Sequence, residues 1–159
     1  MDTIDWKKPQ PALTALRTII EDEFPEQKDK PISLRGGYNN RNVAGTKTPS
    51  LHAEGRALDI PLNASLAADK ARGDLIVDIL ALNHQELGLQ EIIWNKRLWT
   101  PAHGWQPHEG TRQNGSRKNP HTDHIHVGFT REGSQRTHFP LTEHNFEVSA
   151  LHDLAHRIY

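Results

Sequence analysis

The stretch "SLHAEGRALDIPL" (residues 50–62) passes from a polar turn into an alternating apolar run at Ala57. Successive side chains of a strand point to opposite faces, so Leu58, Ile60 and Leu62 share one face while Ala57 and Asp59 take the other. "HTDHIHVGF" (121–129) follows the same grammar. There Ile125, Val127 and Phe129 share a face, and His124, His126 and Gly128 take the opposite one. Each segment reads as a strand that buries one face and offers polar groups on the other. If the two strands pair with their apolar faces matched, Asp59, His124 and His126 converge. His52, in the turn before the first strand, then reaches the same place from above.

Working outward, Leu13, Leu16, Ile19, Ile20 and Phe24 fall at helical spacing after Pro11, a proline tolerated at a helix start. Pro25 and Pro31 bracket a loop, and Ile32 and Leu34 alternate into the turn-rich "RGGYNNR" (35–41). Leu75, Ile76, Ile79, Leu80 and Leu87 predict one helix running from about Ser65 to a stop at Gly88. "EIIWNKRLW" (91–99) predicts a hairpin turning near Asn95-Lys96. Residues 101–120 are rich in proline, glycine and asparagine and predict a long loop of the kind compact domains keep for a purpose. A short helix is expected over 149–158. This order predicts an α+β fold, a small antiparallel β-sheet with flanking helices, in a single domain over residues 1–159.

Bulk properties narrow the function classes. A formal net charge of −1 gives no electrostatic case for nucleic acid or an anionic membrane. No apolar run approaches the ~18–20 residues of a membrane helix, so membrane insertion is not expected. "MDTIDWKKPQ" lacks the apolar core of a secretory signal, which predicts a chain made without its own export tag. With no cysteine, any metal must be held by histidine and carboxylate, and 11 histidines in 159 residues raise that question directly.

Two imidazoles and a carboxylate with a fourth position left for water are the ligand set of a catalytic zinc. His52, Asp59, His124 and His126 all qualify by position. Ser50 is placed to hydrogen-bond within the ligand turn, and Gly55 to permit the bend between His52 and Asp59. Trp94 and Trp99 are candidates for a substrate groove, although paired tryptophans in a hairpin are more commonly core. Trp105 and His108 sit in the long loop, as a cover for the cleft or as solvated residues. Arg56 and Glu54 are expected to face solvent, and His138, His144, His152 and His156 to lie on the surface.

"SLHAEGRALD" matches S-x-H-x-x-G-x-A-x-D, and with "HIH" it resembles the paired motifs of the lysostaphin / D-Ala-D-Ala metallopeptidase / hedgehog superfamily. The spacing of His121, His124 and His126 is similar to its murein endopeptidase A branch. "RGGY" resembles the R-x-x-Y of D-Ala-D-Ala dipeptidases. The resemblance covers about residues 32–129. It implies a superfamily-type α+β fold with one zinc per chain, held by His52, Asp59 and His126. It leaves His124 as a non-ligand histidine that polarises water or the tetrahedral intermediate, and implies Arg35 at the oxyanion. Asp123, His124 and His121, in that order, are the general-base candidates. The implied activity is hydrolysis of an amide bond in a peptidoglycan peptide, at the cell wall or in the periplasm. The missing export tag fits a lysin released through a holin, or an antibacterial toxin passed on by a delivery machine and countered by an immunity protein.

Two other hydrolase patterns fit less well. The order within "HTDHIH" is not the H-x-H-x-D-H of metallo-β-lactamases, and no repeated H-x-T/S pair supports a two-histidine phosphoesterase. A zinc-stabilised binding module of the same fold, without turnover, is the non-enzymatic alternative.

Overall fold

The computed structural model describes residues 3–30, 38, 50–110 and 120–137. Arg35, most of the 31–49 segment, residues 111–119 and the expected helix at 149–158 lie outside the described residues, as do His138, His144, His152 and His156. The fold is α+β. Among the described residues the five strands are β1 (Ala57–Pro61), β2 (Leu89–Trp94), β3 (Arg97–Thr100), β4 (Gly104–Pro107) and β5 (His124–Phe129). They form one antiparallel sheet in the order β1-β5-β2-β3-β4. Its helices are α1 (Pro11–Glu23), α2 (Ala67–Leu82) and the single turn α3 (His84–Leu87).

One face of the sheet carries the core. Leu13, Leu16 and Ile20 of α1 and Ile76, Val77, Ile79 and Leu80 of α2 join Leu58, Ile60, Ile92, Ile125, Val127 and Phe129 in a single buried cluster. Each such side chain contributes about 1.5–3 kcal/mol by leaving water. This burial fixes the register, because a one-residue slip would turn every apolar strand residue to the polar side. The two strands read from alternation are indeed neighbours. β1 pairs with β5 so that Leu58 faces Val127 and Asp59 faces His126.

The expected helix over Ser65–Leu87 is two helices. At Asn83 the side-chain amide donates to Ile79 O (2.8 Å), competing with the backbone ladder, and the chain restarts as α3 before Gly88 ends it at φ 71°. The hairpin closes at Asn95 (φ 49°) and Lys96 (φ 64°), a two-residue turn whose positive φ values match the strand twist.

Residues 101–120 are not one long loop. Gly104–Pro107 form β4, pairing Trp105 with Trp99 across the strands. Trp94, Trp99 and Trp105 lie on the core side of the sheet. Trp94 is wholly buried with its indole N–H donating to Asp74 (3.0 Å), and Trp99 is 7 % exposed. Trp105 packs on the same apolar face under the guanidinium of Arg97, 4.8 Å from its ring. Among the described residues, no helix is long and apolar enough to cross a membrane.

Candidate metal centre

The sheet's other face gathers the polar side chains. Ser50 opens a 3₁₀ turn over Leu51–Glu54, and its Oγ accepts from the Ala53 N–H at 3.2 Å. Gly55 closes the turn in the left-handed conformation at φ 65°. This folds His52, 3 % exposed, back over β1. Arg56 and Glu54 anchor the turn rather than facing solvent. The Arg56 guanidinium is 8 % exposed, donating to Phe129 O at 2.7 Å and to Glu54 at 3.0 Å. Glu54 also accepts from Arg131 at 2.9 and 3.2 Å. A buried cation among partners of this kind is structural, and it ties the His52 turn to the end of β5.

Asp59 stands at the centre of the site. Its Oδ1 lies 3.3 Å from His52 Nε2, 3.5 Å from His126 Nδ1 and 3.8 Å from His124 Nε2. The His52 and His126 rings meet nearly edge-on at 5.3 Å. Donor atoms of His52, Asp59 and His126 all fall within 4.8 Å of one another, so these three could hold a metal ion. Two features of the site suit a small divalent cation. Tetrahedral zinc with bonds of about 2.0–2.1 Å sets its donors roughly 3.3 Å apart. Asp59 Oδ1 is buried and takes no hydrogen bond of proper geometry, although ring nitrogens surround it. Nitrogen and carboxylate donors without sulfur are compatible with zinc.

The electrostatics follow from this crowding. Burial pushes the Asp59 carboxyl up, but the neighbouring His126 and His52 rings outweigh it and hold the group well below the ordinary carboxylate range. For His126, burial works against the charged ring, and the Asp59 and Glu91 carboxylates overcome it, raising its pKa from 6.5 to about 9. Without metal, His126 therefore carries a proton at neutral pH that a cation must displace.

Glu91 is a member of this group that alternation alone did not single out. Its Oε1 lies 2.9 Å from His126 Nε2, the ring nitrogen turned away from Asp59. A charged residue heading the apolar run "EIIW" was the available signal.

The general-base candidates lie side by side. Asp123, just before β5, has an 81 % exposed side chain whose Oδ1 is 2.7 Å from His124 Nδ1, leaving His124 Nε2 turned to Asp59. The His121 ring stands 4.7 Å from that of His124 and 5.9 Å from that of His126. His121 adopts φ 54°, held by the β2–β3 turn, since Asn95 N–H donates to His121 O (2.8 Å) and Lys96 N–H to Pro120 O (2.9 Å). The same turn accepts His108 N–H on Lys96 O (2.8 Å), which brings the His108 ring to 6.2 Å from His121. His108 thus belongs to the rim of the site, delivered by a strand that composition had hidden.

A family model described as VldE, C-terminal domain, matches residues 6–125. The match takes in His52, Asp59 and Glu91 and stops just before His126. No curated protein and no solved structure matches the chain.

Proposed function

The chain belongs to the VldE, C-terminal domain family, and from the chemistry of its site we propose that it is a zinc-dependent peptidase cutting an amide bond in bacterial peptidoglycan peptides. One observation carries the reading: the His52, Asp59 and His126 donors lie within 4.8 Å of one another beside a His124–Asp123 pair joined at 2.7 Å. Three candidate ligands beside an acid–base pair suit a catalytic centre, whereas a structural zinc would usually have a fourth protein ligand. The substrate class and the superfamily-type fold rest on the likeness of S-x-H-x-x-G-x-A-x-D and H-x-H to peptidoglycan peptidases.

Zinc held by His52, Asp59 and His126 would supply Lewis acidity, lowering the pKa of a water and polarising the scissile carbonyl. The remaining work falls to the chain. His124 Nε2 takes the proton of the attacking water and returns it to the leaving amine. Asp123 accepts from His124 Nδ1–H, fixing the ring so that Nε2 faces the site. This makes His124 the base and Asp123 its orienting partner, reversing the order expected from the motif. His121, beside His124, offers an N–H to the developing oxyanion, with Arg35 assigned the same task by the motif alone. The proposed setting is the cell wall or periplasm, reached by release or delivery.

The test is metal analysis of the purified protein, followed by incubation with peptidoglycan sacculi with and without chelator. One zinc per chain and chelator-sensitive release of new amine ends is the expected result. Zinc without release favours the binding module. No metal in folded protein removes the proposal.

A further inference from the structure

β2 does not alternate evenly from end to end. Leu89 and Ile92 are both buried in the core, paired with Phe129 and Val127, although an odd spacing should put them on opposite faces. The register shifts between Leu89 and Glu91, making Gln90 the inserted residue of a bulge opposite Gly128. Bulges of this kind re-aim a side chain. Here the bulge lets Glu91 share the polar face with Ile93, and with the His126 that pairs with Ile93, while Leu89 stays in the core.

Gly128 clears the path. A Cβ at that position would meet Leu51 Cδ1 at 2.5 Å, Glu91 Cγ at 2.9 Å and Glu91 Oε1 at 3.3 Å. The bulge on one strand and the missing side chain on the next leave room for the 2.9 Å hydrogen bond from His126 Nε2 to Glu91. A carboxylate only accepts, so Nε2 carries the proton and Nδ1 is the nitrogen left for a metal.

We infer that Glu91 is the positioning residue of the metal centre, locking the His126 ring so that Nδ1 is directed at the position shared with His52 and Asp59. The inference rests on the metal reading proposed above. Outer partners of this type typically alter metal affinity 10–100-fold when removed.

The experiment compares the parent protein with Glu91→Ala and Glu91→Gln. Zinc dissociation constants are read by competition with a chromophoric chelator. The His126 Nε2–H proton is followed by NMR in the zinc-free proteins, whose fold is checked by circular dichroism. Glu91→Ala should bind zinc about 10–100-fold more weakly and lose the protected, downfield Nε2–H signal. Glu91→Gln, which keeps an acceptor, should retain that signal and lose less affinity. Zinc binding within twofold of the parent in folded Glu91→Ala overturns the inference, as does a signal that survives there. Absence of the protected signal in the parent overturns it without any variant, so a misfolded Glu91→Ala leaves the question decidable. If the parent binds no zinc, the metal reading fails separately while the signal still reports whether Glu91 holds the ring.

Discussion

Replacing Gly55 by alanine perturbs the joint between the His52 turn and β1, and the size of the effect can be worked from two contributions. Gly55 has φ 65°, a left-handed conformation that costs an L-residue about 1–2 kcal/mol. Its built Cβ would fall 1.8 Å from Lys8 O and 2.7 Å from Lys8 C, and Gly55 O accepts from Gln10 N–H at 3.0 Å. That neighbour is backbone and cannot rotate away, so overpacking adds about 1–3 kcal/mol. The sum is roughly 2–5 kcal/mol of a domain stability that is typically about 5–15 kcal/mol. Gly104 supplies the control, because it has nearly the same φ, 63°, with nothing within 4 Å of its built Cβ. Gly104→Ala should therefore show the conformational cost alone. Urea unfolding of both variants and the parent, in chelator, separates the two contributions. Gly55→Ala should be the less stable by about the overpacking amount, ~1–3 kcal/mol, and should also bind zinc more weakly as His52 is displaced. Equal losses in the two variants would refute the packing of Gly55 on Lys8 as the constraint that places His52.

Other perturbations test other parts of the argument. Gly73→Ala would gain about 1 kcal/mol of helix propensity. Its Cβ, however, would meet Trp94 Cζ2 at 2.3 Å, on a ring held by Asp74, so thermal unfolding should show a net loss of up to about 2 kcal/mol; a raised Tm contradicts that packing. In chelator-treated protein the His126 pKa, raised from 6.5 to about 9, contributes stability that is fully present below pH 6.5 and is lost as pH rises through 9. Stability should accordingly decline across that window, and the decline should shrink in Asp59→Asn; an identical profile in the variant would remove Asp59 as its cause. His124→Ala should keep bound zinc while lowering peptide release by about 10²–10⁴-fold, with Asp123→Asn losing less. The reverse ranking would make Asp123 the base.

Much of the site was legible because a strand has period 2. Asp59 and His126 could be assigned to one face from "RALDIPL" and "HIHVGF" alone, and the pairing of the two strands then set them opposite each other. The α+β class, α1 and the Asn95-Lys96 turn were equally local, each set by spacing or backbone preference over a few residues. Asn83 interrupts the second helix through a side-chain bond to its own preceding turn, which apolar periodicity does not register. β4 escaped because its turn-forming composition masked a pairing stabilised across the sheet by Trp105 on Trp99.

The chain's local order thus determined which residues were able to converge, while tertiary structure decided how they are held. Arg56 is buried only because Phe129 and Glu54, distant and near in sequence, surround its guanidinium. Glu91 reaches His126 while Leu89 stays in the core because a bulge breaks the alternation of β2 and Gly128 leaves room on the neighbouring strand. Alternation is a property of one strand and is written in sequence; a bulge, an absent Cβ and a buried ion pair act between strands, and exist only once the sheet has formed.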